Sequence, residues 1–285
     1  MNEYRRSQPP AVDGLGLRST SIDHAAVQSA MQPWIEMECL QLSRGKRLGR
    51  LDSINLGCQQ VVRETQEAAV QKLGATPGNL CTLSFCSLDP TFRFSEHDAG
   101  NADTIFFMPE NTEFDLYVPA GAQTTYICLD QEEFLNAARV LNPVEWENAP
   151  RAVKMLQSVH KARFRDAVET WFKVAAGSAG TLEADVMRRL LFQPMLQIAT
   201  PPQGPAQSVP RAARVRALRI CRQARAFAEY RLETDEAPTI VDLCTAAGVS
   251  ERTLQYAFRT HVGMSPTAYL RLLRLNRVRT TLVNA

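Results

Sequence analysis

Arg252, Gln255 and Arg259 recur at spacings of three and four between Ser250 and His261. That spacing puts them, with Glu251, on one face of a helix running from Glu251 to about His261, with Tyr256 at its flank. Leu254 and Phe258, at i and i+4, share the opposite face and are expected core. Arginine pairs bidentately with guanine and glutamine with adenine, so an exposed face of this kind can read base edges in the major groove. The same spacing also fits a helical hairpin whose polar face is merely solvated.

The flanking residues are of the types that would present such a helix. Thr239 begins a short helix and has Asp242 three residues on, an acid-bearing relative of the capping box. Ile240, Leu243 and Cys244 are expected to face inward, and Ala246 and Ala247 permit close packing. Gly248 falls where the helix must stop and turn, and Val249 follows as an apolar plug. Ser250 then caps the second helix. A short helix, a glycine turn and a second helix make the helix-turn-helix layout. Upstream, Arg211 to Leu232 reads as one Arg- and Ala-rich helix. Val215, Leu218, Cys221, Ala224 and Phe227 or Ala228 mark its buried side, and Asp235-Glu236-Ala237-Pro238 breaks it. Downstream, Ser265 caps a further helix with Pro266 at its first position.

Three segments together resemble the AraC/XylS family of transcription regulators: Ala247 to Arg259, Gly263-Met-Ser-Pro266, and Tyr269 to Arg279. The resemblance covers about residues 213–285 and corresponds to the family's first helix-turn-helix and the linker helix after it. Carried over by position, it implies that Arg252, Gln255 and Tyr256 face bases. It implies that Ser250, Thr253 and Arg259 contact or border phosphates, and that Arg271, Arg274, Arg277 and Arg279 add positive field. Family members carry a second helix-turn-helix after the linker helix. This sequence stops at Ala285, inside or just after that linker helix, so the expectation is either a fragment of a longer protein or a sequence that ends where its C-terminus ceases to be ordered, with weaker DNA binding than two reading heads would give.

Charge is distributed accordingly. Residues 210–285 hold thirteen arginines, no lysine and six acids, a net of +7, whereas the rest of the chain carries −5. A compact basic module joined to an acidic one is the footprint of a nucleic-acid reader with a separate regulatory part.

The regulatory part reads as β-rich. Short apolar runs at Ile35–Leu42, Ser53–Leu56, Cys58–Val62, Leu80–Phe85, Thr104–Met108, Phe114–Val118 and Thr124–Leu129 are separated by Gly-, Pro- and Asn-bearing turns. Regular short strands of this kind suggest a sandwich or barrel. Less specifically, Ser43 to Gly49, Pro109 to Glu113 and Pro119-Ala-Gly121 resemble the cupin-like sensor domain of many family members. Trp34, Phe92, Phe94, Phe106, Phe107 and Phe114 are candidates either for an effector pocket or for ordinary core. His97 lacks the HxH partner of a metal-binding cupin and reads as a surface loop residue.

Residues 22–31 read as a short amphipathic helix and Glu132–Leu141 as another. Pro150 to Val174 places Val153, Leu156, Val159, Phe164, Val168, Trp171 and Phe172 on one helical face. Thr181, with Glu183 and Asp185 in the first turn, starts a helix to about Ile198 with Met187, Leu190, Leu191, Met195 and Ile198 as its stripe. These faces need a partner, either the β domain or a second copy of the chain. Four prolines and one glycine in the twelve residues from Ala199 to Pro210 mark a linker.

The 285 residues, 45% hydrophobic and 22% charged, allow about two domains and exclude a wholly disordered chain. No apolar run approaches a membrane span, and the first thirty residues lack a signal-peptide block, so a cytoplasmic, nucleoid-associated protein is expected. Seven scattered cysteines read as buried thiols. Phosphate-loop, dinucleotide, zincin and nucleophile-elbow motifs are absent. The expectation is therefore α+β: a tail over 1–30, a β-rich cupin-like domain over 31–142, a helical dimerisation segment over 143–198, a linker over 199–210 and a helix-turn-helix domain over 211–285. No catalytic, metal or cofactor residue is assigned. Expected partners are double-stranded promoter or operator DNA, a second copy of the chain, RNA polymerase and an unidentified small-molecule effector. Activation and repression both remain open. The rival readings are a cupin-like small-molecule protein or enzyme, and a protein–protein fragment of a longer regulator.

Overall fold

The computed structural model describes residues 16–57, 59–87, 89–177, 184–199, 211–234 and 236–284. Its N-terminal part is β1 (Leu17–Ile22), α1 (Ala25–Ala30), β2 (Glu36–Gln41), β3 (Gly49–Asn55), β4 (Gln60–Gln66), β5 (Val70–Ala75), β6 (Leu80–Cys86), β7 (Arg93–Phe94), β8 (His97–Asp98), β9 (Thr104–Met108), β10 (Glu113–Val118) and β11 (Gln123–Asp130). Helices α2 (Gln131–Leu141) and α3 (Pro143–Trp146), strand β12 (Lys154–Gln157), and helices α4 (Lys161–Gly177) and α5 (Ala184–Ala199) follow. The C-terminal part is α6 (Arg211–Glu233), α7 (Ile240–Ala247), α8 (Glu251–His261) and α9 (Pro266–Asn284). Among the described residues no helix is long and apolar enough to cross a membrane.

The strands form two antiparallel sheets. One has the order β1-β3-β4-β11-β6-β9-β12 and the other β2-β5-β10-β7-β8. Alternation along each strand gives each sheet two faces, and three apolar clusters result. Between the sheets lie Leu51, Val62, Val70, Phe94, Phe106, Phe114 and Val118. The other face of the seven-stranded sheet, with Ile54, Val61, Phe107 and Ile127, is covered by α2, α4 and α5 through Phe134, Phe164, Val168, Phe172, Leu191 and Met195. On the outer face of the five-stranded sheet, Leu40, Leu42 and Leu73 pack against the helical C-terminal part. The order in space is thus helices, sheet, sheet, helix-turn-helix part.

Several expectations are corrected. Residues 17–30 are no tail: β1 pairs along its length with β3, from Leu17 opposite Ile54 to Ile22 opposite Gly49. Residues 1–15 lie outside the described part, as do Cys58, Thr181, Glu183 and linker residues 200–210. No single helix runs from Pro150, because Lys154–Gln157 pairs with β9 and Val159 is exposed. The β domain therefore extends beyond 31–142 at both ends. His97 is a strand residue whose Nε2 lies 3.0 Å from the Val153 carbonyl, not a loop residue. Phe107 faces the helices, where it meets Phe134 and Trp146 at centroid distances of 5.4 and 5.0 Å.

The chain's own β domain also takes most of the helical stripe offered for a dimer. Phe164, Val168, Phe172, Met187, Leu191, Met195 and Ile198 are buried within the chain, whereas Val174, Val186 and Leu190 stay exposed. Arg63 reinforces that docking. It lies 2.7 Å from Asp52 and 2.6 Å from Glu169 of α4, with its guanidinium 4.4 Å from the centre of the Phe172 ring.

Candidate nucleic-acid interface

Helix α6 is the scaffold of the C-terminal part. Leu218, Cys221, Ala224 and Ala228 are buried on it, while Val215, expected on the same side, is exposed. Against it pack Leu243 of α7, Leu254, Ala257 and Phe258 of α8, and Tyr269, Leu270 and Leu273 of α9. Local chemistry sets each boundary. The Thr239 side chain accepts from the Asp242 N–H at 3.2 Å while Asp242 Oδ2 accepts from the Thr239 N–H at 2.9 Å, so the capping box is complete. Gly248 ends α7 in the left-handed region (φ 61°), and Val249 N–H bonds back to the Cys244 carbonyl at 3.0 Å. Only glycine takes that conformation without strain. Ser250 caps α8, its hydroxyl accepting from the Thr253 N–H at 3.3 Å.

These turns leave one polar face of α8 open. Glu251, Arg252, Tyr256 and Arg259 are exposed, and Thr253 and Gln255 are half-buried. Tyr256 keeps 65% of its surface accessible, although it is large and aromatic, so intramolecular packing does not account for it. Gln255 donates to Glu251 Oε1 at 3.0 Å, which pins its amide along the face. Ser250 and Thr253 are engaged with each other (Oγ to Oγ1 2.9 Å) at the helix start, where free N–H groups and the helix dipole favour a phosphate. The six residues singled out from sequence thus lie along one helix and its cap.

The arginines of α9 divide. Arg271 is exposed. Arg274 donates to the Pro238 carbonyl at 3.4 Å. Arg279 is committed to Gln41 and to the Asp23 carbonyl, so it braces α9 against the β domain.

Sequence reasoning missed the residues that dock this part onto the sheet. His261, on the last turn of α8, lies 2.8 Å from Asp115 of β10. Tyr269 donates to Gln71 of β5 at 2.9 Å, and Arg225 of α6 lies 2.5 Å from Glu38 of β2. Asn276 accepts from the Gln41 N–H at 3.1 Å and donates to the Gln41 carbonyl at 3.2 Å. It thereby does for edge strand β2 what another strand would do. The available signal was a histidine and an asparagine on otherwise basic or apolar helices, but neither names a partner.

Residues 243–285 match a family model described as a helix-turn-helix domain. The C-terminal part is a helix-turn-helix domain. Its match spans α7 from Leu243, the Gly248 turn, α8 and α9. Solved structures similar to the whole chain include the AraC-like transcriptional activator CuxR. That match has 14% identity and a TM-score of 0.46, and covers 92% of this chain and 95% of that one. ToxT from Vibrio cholerae is similar at 11% identity and a TM-score of 0.29, covering 75% of this chain and 97% of that one. A DNA-binding domain at the C-terminus, joined to a β-rich N-terminal domain, is the architecture of this chain.

Proposed function

We propose that this chain is a sequence-specific, DNA-binding transcription regulator of the AraC/XylS type, acting in the cytoplasm on promoter or operator DNA. Helix α8 enters the major groove. Arg252, Gln255 and Tyr256 face bases, while Ser250, Thr253 and Arg259 sit at phosphates. The observation that carries this reading is the open polar face of α8, held by a capped glycine turn within a helix-turn-helix domain. The +7 charge of residues 210–285 supports it through phosphate attraction.

The protein works as a homodimer, with Val174, Val186 and Leu190 of α4 and α5 as the surface. Those apolar side chains remain exposed after the β domain has taken the rest of the stripe. It responds to a small-molecule effector held between the two sheets. Trp34, Phe92, Phe94 and Phe114 meet there around one cavity, with Phe106 behind them. Trp34 Nε1 and Ser84 Oγ, both in its wall, are buried without a hydrogen-bond partner among the described residues, which favours a polar guest. The cavity measures about 50 Å3, so an effector larger than a few waters must displace its walls.

Selection from a random duplex pool tests the reading, using the full chain and its Arg252→Ala variant. The expected result is one enriched motif, bound with affinity that falls steeply with salt. In the variant one motif position blurs, at a cost of ~1–3 kcal/mol. Binding without any motif, or a motif unaltered in the variant, overturns base reading by Arg252. Light scattering on the eluted protein tests the dimer, and a monomer at micromolar concentration removes that part.

A further inference from the structure

The helix-turn-helix domain meets the five-stranded sheet through apolar and polar contacts of different character. Leu40, Leu42 and Leu73 supply apolar area, which favours docking but carries little directional information. The polar contacts have preferred distances and angles, and the two fully buried ones, from His261 and Tyr269, lead to Asp115 directly and through Gln71.

Asp115 and His261 are each only 2% exposed at the side chain. Asp115 Oδ2 meets His261 Nε2 at 2.8 Å. Asp115 Oδ1 accepts from Gln71 Nε2 at 2.9 Å and from Arg93 Nη2 at 3.3 Å. With its Nε2 turned to Asp115, Gln71 presents its oxygen to α9, where it accepts from the Tyr269 hydroxyl at 2.9 Å. One buried carboxylate therefore fixes the C-terminal end of α8 directly and the start of α9 through the orientation of an amide. Burial opposes the charge on Asp115, but Arg93 and the His261 hydrogen bond outweigh it and hold the carboxyl well below its usual range. Burial and the Arg93 charge in turn lower the His261 pKa against the pull of Asp115, and because a carboxylate can only accept, it is Nε2–H that donates.

We propose that Asp115 is the positioning residue for the DNA-reading helix: through His261 it sets the angle at which α8 leaves the sheet. His261 lies nine residues beyond Arg252, roughly 13 Å along the helix axis. A small tilt at the clasp therefore becomes a large displacement of the side chains proposed to meet bases. The assignment rests on the reading of α8 as the DNA-contacting helix only for its consequence. The clasp itself is testable without DNA.

The test is a spin-label distance measurement on the full chain, from a label at Thr65→Cys in the β domain to one at Thr245→Cys on α7, in a Cys244→Ala background. Four proteins are compared: the otherwise unaltered chain, His261→Gln, His261→Leu and Asp115→Asn. Glutamine keeps a donor for Asp115 and leucine keeps only bulk. Asparagine turns an amide N–H either toward His261 or toward Gln71 and Arg93, all three of which donated to the carboxylate. The unaltered chain and His261→Gln are expected to give one narrow distance. His261→Leu and Asp115→Asn are expected to broaden or shift it by ~2 Å or more, with circular dichroism unchanged. A distance as narrow and unshifted in His261→Leu as in His261→Gln overturns the proposal and assigns positioning to the apolar contacts. Should Asp115→Asn fail to fold, the histidine pair alone decides. Anisotropy of Arg252→Ala on the selected duplex separately tests whether α8 reads DNA, so the two readings fail independently.

Discussion

Gln71 and Lys72 are neighbours on one strand and serve opposite sides of one sheet. Gln71 turns outward to the Tyr269 hydroxyl of the helix-turn-helix domain. Lys72 turns inward and pairs with Glu64 between the sheets. Both are almost fully buried. Strand β5 is thus polar at two consecutive buried positions and falls in none of the apolar runs of the sequence, because each polar side chain has a partner waiting on its own face.

That inward pair makes a sharp stability prediction. Glu64 is fully buried and also accepts from Gln28 at 3.1 Å and Gln32 at 2.6 Å. Removing it strands the Lys72 ammonium in an apolar layer. Glu64→Ala is expected to cost about 3–5 kcal/mol, read from urea unfolding. The double variant Glu64→Gln/Lys72→Met should cost clearly less. Equal losses in the two would show that the charge pair is not the source.

Gly248→Ala probes the turn. A Cβ built there meets nothing within 4 Å, so the cost is backbone strain alone, ~1–2 kcal/mol. Gly248→Asn, which tolerates the left-handed region better, should lose less. A loss several times larger in Gly248→Ala would mean that the turn is packed in a way the open space denies.

The clasp predicts a pH dependence. His261 faces Asp115, Arg93 and Arg222. Burial and the two arginines lower its pKa against the pull of Asp115, so the folded chain binds this proton more weakly than the unfolded one. Stability from His261 is therefore complete above the unfolded value of ~6.5 and is lost as pH falls below it. Asp115, held low by Arg93 and the His261 bond, keeps its contribution to far more acid conditions. Unfolding free energy should drop between about pH 7.5 and 5.5. In His261→Gln, which takes up no proton, part of that slope should vanish. An identical slope in the variant would place the titration elsewhere.

Thiol chemistry offers a check on burial. Burial pushes Cys39 and Cys86 up to about 12 and raises Cys81, Cys128 and Cys221 as well. Cys244 of α7, packed at the rim of the helical core, is only half-buried. Since the thiolate is the reactive form, an alkylating reagent at neutral pH should modify Cys244 first among these six, and the others only on unfolding. Early labelling of Cys221 would mean that the α6–sheet interface opens readily.

The helix-turn-helix is legible in local spacing. Thr239, Asp242, Gly248 and Ser250 act within three or four residues of themselves, so caps, turn and the exposed face of α8 follow from local spacing. The strong strands β6, β9, β10 and β11 were legible for the same reason, as apolar runs between turn residues. Other elements depend on contacts far apart in the chain. Leu17–Ile22 and Lys154–Gln157 are strands only because a sheet edge lies beside each. Lys154–Gln157 falls in a helical apolar rhythm that the pairing with β9 overrides. Phe164 and Phe172, read from spacing as part of a dimerisation segment, are buried by the chain's own sheet. Asp115 and His261 stand 146 residues apart. A buried polar group must find its partner in space, and the length of chain between two such groups carries no record of their meeting.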